Sequence, residues 1–372
     1  MEFELVDSIH GLDPADWDAL TEGHPALRHA FLAALEDHGC VGRDAGWWPR
    51  YLAGRSRDGL VAAAPLFLKS HSYGEYVFDW AWADAYQRHG LEYYPKWLVA
   101  APFSPLPGPR LLGRDEACRR AALQALLQIA GESGLSSLHI LFATAQERAW
   151  MRDAGLLTRV GVQFHWQTRG EKDFDSFLAR LNHEKRKKIR QERRRVAELG
   201  LAYRWLDGSS ASAQDWSFFA SCYEDTYRAH HSTPYLNEGF FRALARHMPE
   251  SVRLLVGEQN GLPVASAFFL ASGDTLFGRY WGCQALLPGL HFELCYYRPI
   301  EYCIQQGLAR MEGGAQGEHK LSRGLEPVET GSAHWVADPR FRDAIDRHLD
   351  REAEHMSEYR EHLATRSPFR QA

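Results

Sequence analysis

Between Met311 and Val336 the chain reads MEGGAQGEHKLSRGLEPVETGSAHWV, and here the residue types fit for chemistry are densest. Gly313, Gly314 and Gly317 stand directly ahead of Glu318, His319, Lys320 and Arg323, and Gly324 follows. Glycine admits positive φ or lets backbone come close against a ligand. An acid, a base and two cations beside such backbone suit a ligand that is anionic or carries a carbonyl. In acyl transfer to an amine, His319 or Glu318 would accept the amine proton, and Lys320 or an N–H near Gly317 would hold the oxyanion. In a regular strand His319 and Lys320 point to opposite faces, so one pocket holds both only across a bulge or turn. The bland account of the same run is a solvated turn, with Lys320 paired to Glu318 or Glu326 and His319 a hydrogen-bonded loop histidine. Arg279 and Tyr280, in the preceding strand-like DTLFGRYW, are next in line as ligand contacts.

Other chemistries find little support. Ser322 lacks a GxSxG elbow, no HExxH occurs, and the histidines at 10, 24, 29, 230 and 231 have no ligand spacing. Metal catalysis is therefore not expected. The six cysteines form no CxxC pair, which argues against a zinc site or disulfide framework and for a reducing compartment. The N-terminus has no secretory pattern, and the longest apolar run, Leu262 to Gly273, is too short to span a bilayer. A cytoplasmic protein without a membrane span is expected. Its formal net charge of −5 gives no global pull on polyanions, so any such partner needs a local patch.

The elements that must position these residues read as mixed α/β throughout. At 372 residues the chain exceeds one ordinary core, so two domains are expected, 1–168 and 169–372. The first half gives an edge strand at Phe3–Val6, paired strands at Trp48–Ala53 and Leu60–Lys69, a helix at Glu116–Ala130 and strands at Leu138–Phe142 and Val160–Thr168. Between them, Tyr73 to Arg110 is rich in aromatics and ends in PFSPLPGPRLL, whose prolines must shape a rigid surface loop. Lys96 and Arg110 beside that loop could grip a phosphate or carboxylate.

Asp173 to Gly200 reads as one amphipathic helix. From His183 to Arg195 it carries eight cations, Lys185, Arg186, Lys187, Lys188, Arg190, Arg193, Arg194 and Arg195, against Glu184 and Glu192 alone. That imbalance exceeds what i,i+4 pairing neutralises, and it points to a polyanion on the outer face. Two helices, a hairpin through Gln259-Asn260-Gly261, the strand Asp274–Trp281, a helix at Leu290–Gly307 kinked at Pro299, and a closing helix at Asp338–Leu363 follow.

That order resembles an N-acyltransferase of the GNAT type, and the whole chain resembles the Fem-type (FemAB/FemX-like) family, with two such domains in tandem. More narrowly it is similar to the bacterial FemAB-like group of predicted N-acyltransferases. PFSPLPGPRLL, RKKIRQERR, GRYWG, HFELCYY and EGGAQGEHKLSRG carry the likeness, the last most specifically. The resemblance implies tandem GNAT-like domains with mixed central sheets, a basic helix at the junction and a C-terminal helix. It implies transfer of an aminoacyl group from charged tRNA to an amine of a peptidoglycan precursor. By position, Lys320 would be the cation at the tetrahedral intermediate, with His319, Glu318 and Arg323 around it. Arg279, Tyr280, Trp281, Gln316 and Gly317 would contact substrate, and Lys185, Arg186, Lys187, Lys188, Arg190 and Arg194 would meet tRNA or nucleotide phosphate.

Acyl-CoA enzymes of this fold carry Q/R-x-x-G-x-G/A after the strand matching Asp274–Trp281. This chain reads RYWGCQALLPG there and lacks the glycine pattern that cradles a pyrophosphate. A CoA-dependent acyltransferase acting on a small amine is the second reading. A non-catalytic module that binds RNA or a peptidoglycan precursor is the third.

Overall fold

The computed structural model describes residues 1–315 and 317–370, which form two compact units. The first comprises Met1–Gly161 with Glu329–Tyr359, and the second Val162–Val328 with Arg360–Ala372. The simple cut at 168/169 assigned the whole closing helix to the second half. Here most of that helix, Pro339–Thr365, belongs with the first unit, because Phe341, Ile345 and Leu349 bury themselves against Trp82, Tyr86 and Tyr93.

In the first unit, Glu2–Val6, Tyr51–Ser56, Gly59–Ala64 and Leu112–Gly113 form an antiparallel sheet in that order. The single long strand expected at Leu60–Lys69 is broken at Pro65, which has no N–H to give a ladder. Leu66–Lys69 joins different neighbours, Trp47–Pro49 on one side and Lys96–Val99 on the other. Lys96–Val99 runs parallel to Ser137–Leu141 through the crossover helix Glu116–Glu132, and Ser332–Val336 pairs antiparallel to the latter.

In the second unit Leu201–Asp207, Val252–Gln259, Leu262–Ser272 and Thr275–Cys283 are sequential antiparallel neighbours. The hairpin turn holds Asn260 and Gly261 at φ 53° and 79°, as a tight turn of the NG type requires. Phe219, Tyr223, Phe241, Phe268 and Tyr280 pack ring to ring between the helices Ala213–Ala229 and Glu238–His247 and this sheet. Arg310–Ala315 then adds a strand parallel to Thr275–Cys283 and antiparallel to the end of Leu157–Gln167.

Two helices differ from expectation. The charged element is a pair, Phe174–Arg180 and His183–Ala197, because Leu181 is extended and the Asn182 side chain accepts the Lys185 N–H at 2.9 Å as an N-cap. The helix from Leu290 to Gln306 carries a widened π turn, Glu293–Tyr297, that ends two residues before Pro299. Proline lacks an N–H and crowds the carbonyl a turn back, and the wide turn accommodates both.

Candidate active site

The parallel strands Thr275–Cys283 and Arg310–Ala315 pair only from Thr275↔Arg310 to Phe277↔Glu312. Beyond that point their ladder ends, and ligands of open α/β sheets gather at such carboxyl-terminal strand ends. Glu312 is the last residue of this parallel ladder and is 3% exposed. Its Oε2 has no hydrogen-bond partner among the described residues, and its Oε1 lies 3.8 Å from His165 Nδ1. Burial pushes the Glu312 carboxyl up to about 7, against the pull of Arg310 and Arg279. His165 is held down at about 3 by burial, then by Arg310 and Lys320. It is a neutral ring near neutral pH, so its contact with Glu312 is no ion pair; its Nε2 faces Gln163 Oε1 at 3.2 Å.

Gly313 follows, where a Cβ would stand 2.6 Å from Leu325 Cδ2 and 3.0 Å from the Phe164 carbonyl, so only glycine fits. Gly317, at φ 101°, turns the chain into a 3-10 helix, Glu318–Arg323. With about three residues per turn, neighbouring side chains diverge by roughly 120° instead of opposing as in a strand. Lys320 therefore points inward, 4% exposed, and its Nζ donates to the Gly314 carbonyl at 3.0 Å. Burial lowers its ammonium to about 8, with Cys295 pulling the other way. His319 points outward. Its Nε2 is 3.0 Å from Tyr296 Oη, and burial, then Arg323 and Lys320, lower its pKa. Glu318 is exposed and paired with Arg366 at 2.7 Å. Arg323 is buried, giving Nη1 to the His319 carbonyl at 2.7 Å and Nη2 to Glu192 at 3.2 Å, with its guanidinium 3.4 Å from the centre of the Phe292 ring.

Residues 8–371 match the model of a family described as peptidoglycan biosynthesis/recognition. The chain belongs to the FemAB-like family. Among curated proteins none matches. FemX is 12% identical, with a TM-score of 0.56 over 93% of this chain and 100% of that one. The C-terminal domain assigned to a lysylphosphatidylglycerol synthetase of Agrobacterium fabrum is 13% identical, with a TM-score of 0.57 over 91% and 95%. L-PGS of Bacillus licheniformis is 12% identical, with a TM-score of 0.50 over 88% and 98%. At these identities the shared property is the fold, and the mixed α/β, tandem GNAT-like architecture is the one expected from the sequence.

In this FemAB-like chain the remaining sequence candidates divide by surroundings. Arg279 is half-buried, its guanidinium 4.9 Å from the Tyr280 ring centre and its Nη2 3.3 Å from Tyr280 Oη. The Trp281 ring lies tilted against His291, with centroids 4.6 Å apart. Gln316 lies outside the described residues. Lys96 and Arg110 belong to the first unit and are fully buried. Arg110 donates to the carbonyls of Leu141, Pro109 and Leu106, and Lys96 to Ser72, Glu75 and Asp79. Neither offers its cation to an outside anion; the Pro-rich loop is fastened by Arg110 from within.

The basic helix is two-faced. Arg193 turns inward to Glu293 at 3.0 Å and Glu301 at 3.1 Å, so Glu293, in the π turn, is an ion-pair anchor and not merely a partner of the helix dipole. Glu192 receives Tyr297 Oη and Arg323. Outward, His183, Arg186, Lys187, Arg190, Gln191 and Arg194 line one depression of about 540 Å³. Arg190 also meets Asp175 at 2.9 Å and Lys185 meets Glu184 at 3.2 Å, both exposed contacts of small worth. Among the described residues no group of three or more His, Cys, Asp or Glu side chains is set to hold a metal ion.

Glu312 and His165 escaped the sequence reading. The available signal was a single acid between Met311 and the glycine pair Gly313-Gly314, and a histidine between Phe164 and Trp166.

The buried titrating groups give a pH prediction. Burial leads in holding His24, His165 and His334 at about 3, His291 at about 4, and His139 well below its ordinary value. Below about pH 6.5 the unfolded chain binds more protons at each, so stability falls as pH falls. Glu75, Glu147 and Glu312 are raised and act oppositely above about pH 4.5. The histidines outnumber them, so on balance stability falls as pH drops below about 6.5. Lys69, lowered to about 6, and Lys320, lowered to about 8, add the same sign above those values. The thermal midpoint by calorimetry should accordingly fall from pH 7.5 to pH 5.

Proposed function

We propose that this protein transfers an aminoacyl or other acyl group onto an amine, the acceptor being part of a peptidoglycan precursor. The observation that carries the reading is Glu312, a buried carboxylate with an unpartnered oxygen where two parallel strands part, with Lys320 beside the same glycines. A carboxyl near 7 is about half ionised at neutral pH, which suits a general base. Glu312 takes a proton from the acceptor ammonium, and the freed amine nitrogen attacks the acyl carbonyl carbon. The Lys320 ammonium faces the oxygen that becomes negative. Collapse breaks the carbon–oxygen bond of an ester donor, or the carbon–sulfur bond of a thioester; the attacking nitrogen gives up its second proton as it becomes the amide, and the leaving group takes up that proton and departs as alcohol or thiol. His319 and Glu318 flank this centre from the surface, and Arg323 holds the 3-10 helix in place through Glu192.

Charged tRNA is the donor we favour, in the cytoplasm where it is made. The outward row Arg186, Lys187, Arg190 and Arg194 supports this, because phosphate backbones bind such rows. Against CoA stands the start of the helix at Leu290, where the N–H groups of Leu290, Phe292 and Glu293 already serve the Leu287 and Gly289 carbonyls.

The test is binding of the purified protein to deacylated and aminoacylated tRNA at two salt concentrations, beside acetyl-CoA. The expected result is salt-sensitive tRNA binding whose log–log slope drops by about 0.7–0.9 for each cation of the row changed to glutamine. Saturable CoA binding without tRNA affinity would leave a CoA-dependent enzyme instead. A non-catalytic binding module would keep its cellular function in Lys320→Ala and lose it when Lys187, Lys188 and Arg190 are reversed.

A further inference from the structure

Ordinary surface loops turn their acids to water and their rings inward. The segment from Ser70 to Trp80 does the reverse. Glu75 and Asp79 are 4% and 3% exposed, both bonded to the Lys96 ammonium, which is itself fully buried. Tyr73, Phe78 and Trp80 are 57%, 53% and 40% exposed. No other Phe, Tyr or Trp among the described residues is exposed. These three exposed Phe, Tyr and Trp side chains among the described residues fall within eight consecutive positions.

The backbone beneath them is fixed. Gly74 and Tyr76 take φ 81° and 61°, the Trp47 indole N–H donates to the Tyr73 carbonyl at 3.1 Å, and Arg159 Nη1 donates to the Phe78 carbonyl at 2.6 Å. Tyr73 and Trp80 lie ring to ring at 4.9 Å. Rings held this way offer contact area at little entropic cost.

The surrounding charge selects the partner. Trp80 opens the helix Trp80–Arg88, whose outer face continues through Asp84, Gln87 and Arg88, all exposed. Asp84 and Arg88 pair with each other. Lys69, Lys96, Glu75 and Asp79 are buried, and Arg159 and Arg88 are each paired with a carboxylate, Glu352 and Asp84, so the local charge is balanced and offers little pull on a nucleic acid or an anionic bilayer. Three partly exposed rings among polar side chains also fall short of the roughly 800 Å² per side of a stable protein interface. A neutral polyol fits both halves of this surface: sugar rings present C–H faces to aromatic planes and hydroxyl edges to carboxylate, amide and guanidinium groups.

We propose that Tyr73, Phe78 and Trp80 form a stacking platform for a neutral glycan. This site lies in the first unit and does not depend on the transfer reaction. Isothermal titration with N-acetylglucosamine hexamer is expected to give saturable binding, weakened tenfold or more in Tyr73→Ala/Trp80→Ala and less in Trp80→Phe. Because the three rings are exposed, the variants should keep the wild-type thermal midpoint. If the hexamer does not bind, or binds the folded double variant as well as the wild type, the proposal fails. It also fails if the double variant instead loses binding to tRNA or to phosphatidylglycerol vesicles while hexamer binding is unchanged. Loss of tRNA binding on neutralising the basic helix, with hexamer binding intact, leaves it standing.

Discussion

Glu312→Gln is expected to reduce acyl transfer by about 10²- to 10⁴-fold, the range a positioned general base contributes. The substitution preserves shape and removes only the ability to take a proton. Its effect on folding should be small, since burial already disfavours the charged form of this carboxyl. The loss should appear in kcat more than in KM, measured with whichever donor the binding experiment selects. The pH profile separates this from a structural effect. Wild-type kcat should rise with pH through about 7, where Glu312 ionises, and fall above about 8, where Lys320 loses its proton. Glu312→Gln should abolish the rising limb, and Lys320→Ala the falling one. A larger loss in His319→Ala than in Glu312→Gln would return the base to His319 and sink the assignment.

That contrast shows what was legible in the sequence. Helices and strands followed from periodicity because packing enforced it, as in the hairpin through Asn260-Gly261 and the apolar stripe of Phe341, Ile345 and Leu349. Long-range outcomes were not written locally. Pro65 breaks one apparent strand into members of different sheets, and Asn182 splits one charged helix into two. The run Glu318-His319-Lys320 was recognisable as chemical, but its geometry depends on Gly317 starting a 3-10 helix. That turn sends Lys320 inward and leaves Glu318 to an exposed ion pair with Arg366. Glu312 was hidden for a different reason: its character comes from burial beside Arg310, Arg279 and His165, which sequence spacing does not report. Lys96 and Arg110 err in the opposite sense. Cations beside a rigid loop suggest ligand contacts until their donors are found to be taken by protein groups.

Lys96→Met should cause the largest loss of stability among single substitutions in the first unit, about 3–5 kcal/mol, because it strands two buried acids. The Lys96 ammonium donates to Ser72 at 2.8 Å, to Glu75 at 2.9 Å and to Asp79. Against the cost of burial, which would lower it, the two carboxylates raise the Lys96 pKa. Asp79, despite burial, is pulled below its ordinary range by that ammonium, whereas burial carries Glu75 up to about 7. Lys96–Asp79 is thus the firm ion pair, and Glu75 shares it partly protonated near neutral pH. Removing the amine leaves Asp79 with the Tyr93 hydroxyl at 2.6 Å as its chief remaining donor. A thermal midpoint lower by roughly 6–20 °C is expected for a unit of this size. Adding Glu75→Gln and Asp79→Asn to Lys96→Met should recover most of it, since neutral side chains of like shape replace buried ion pairs at little cost. If Lys96→Met alone is as stable as wild type, the cluster does not hold the loop. If the triple variant regains its midpoint but leaves the chain at Tyr73 to Trp80 open to proteolysis, charge rather than packing sets the outward display of those rings.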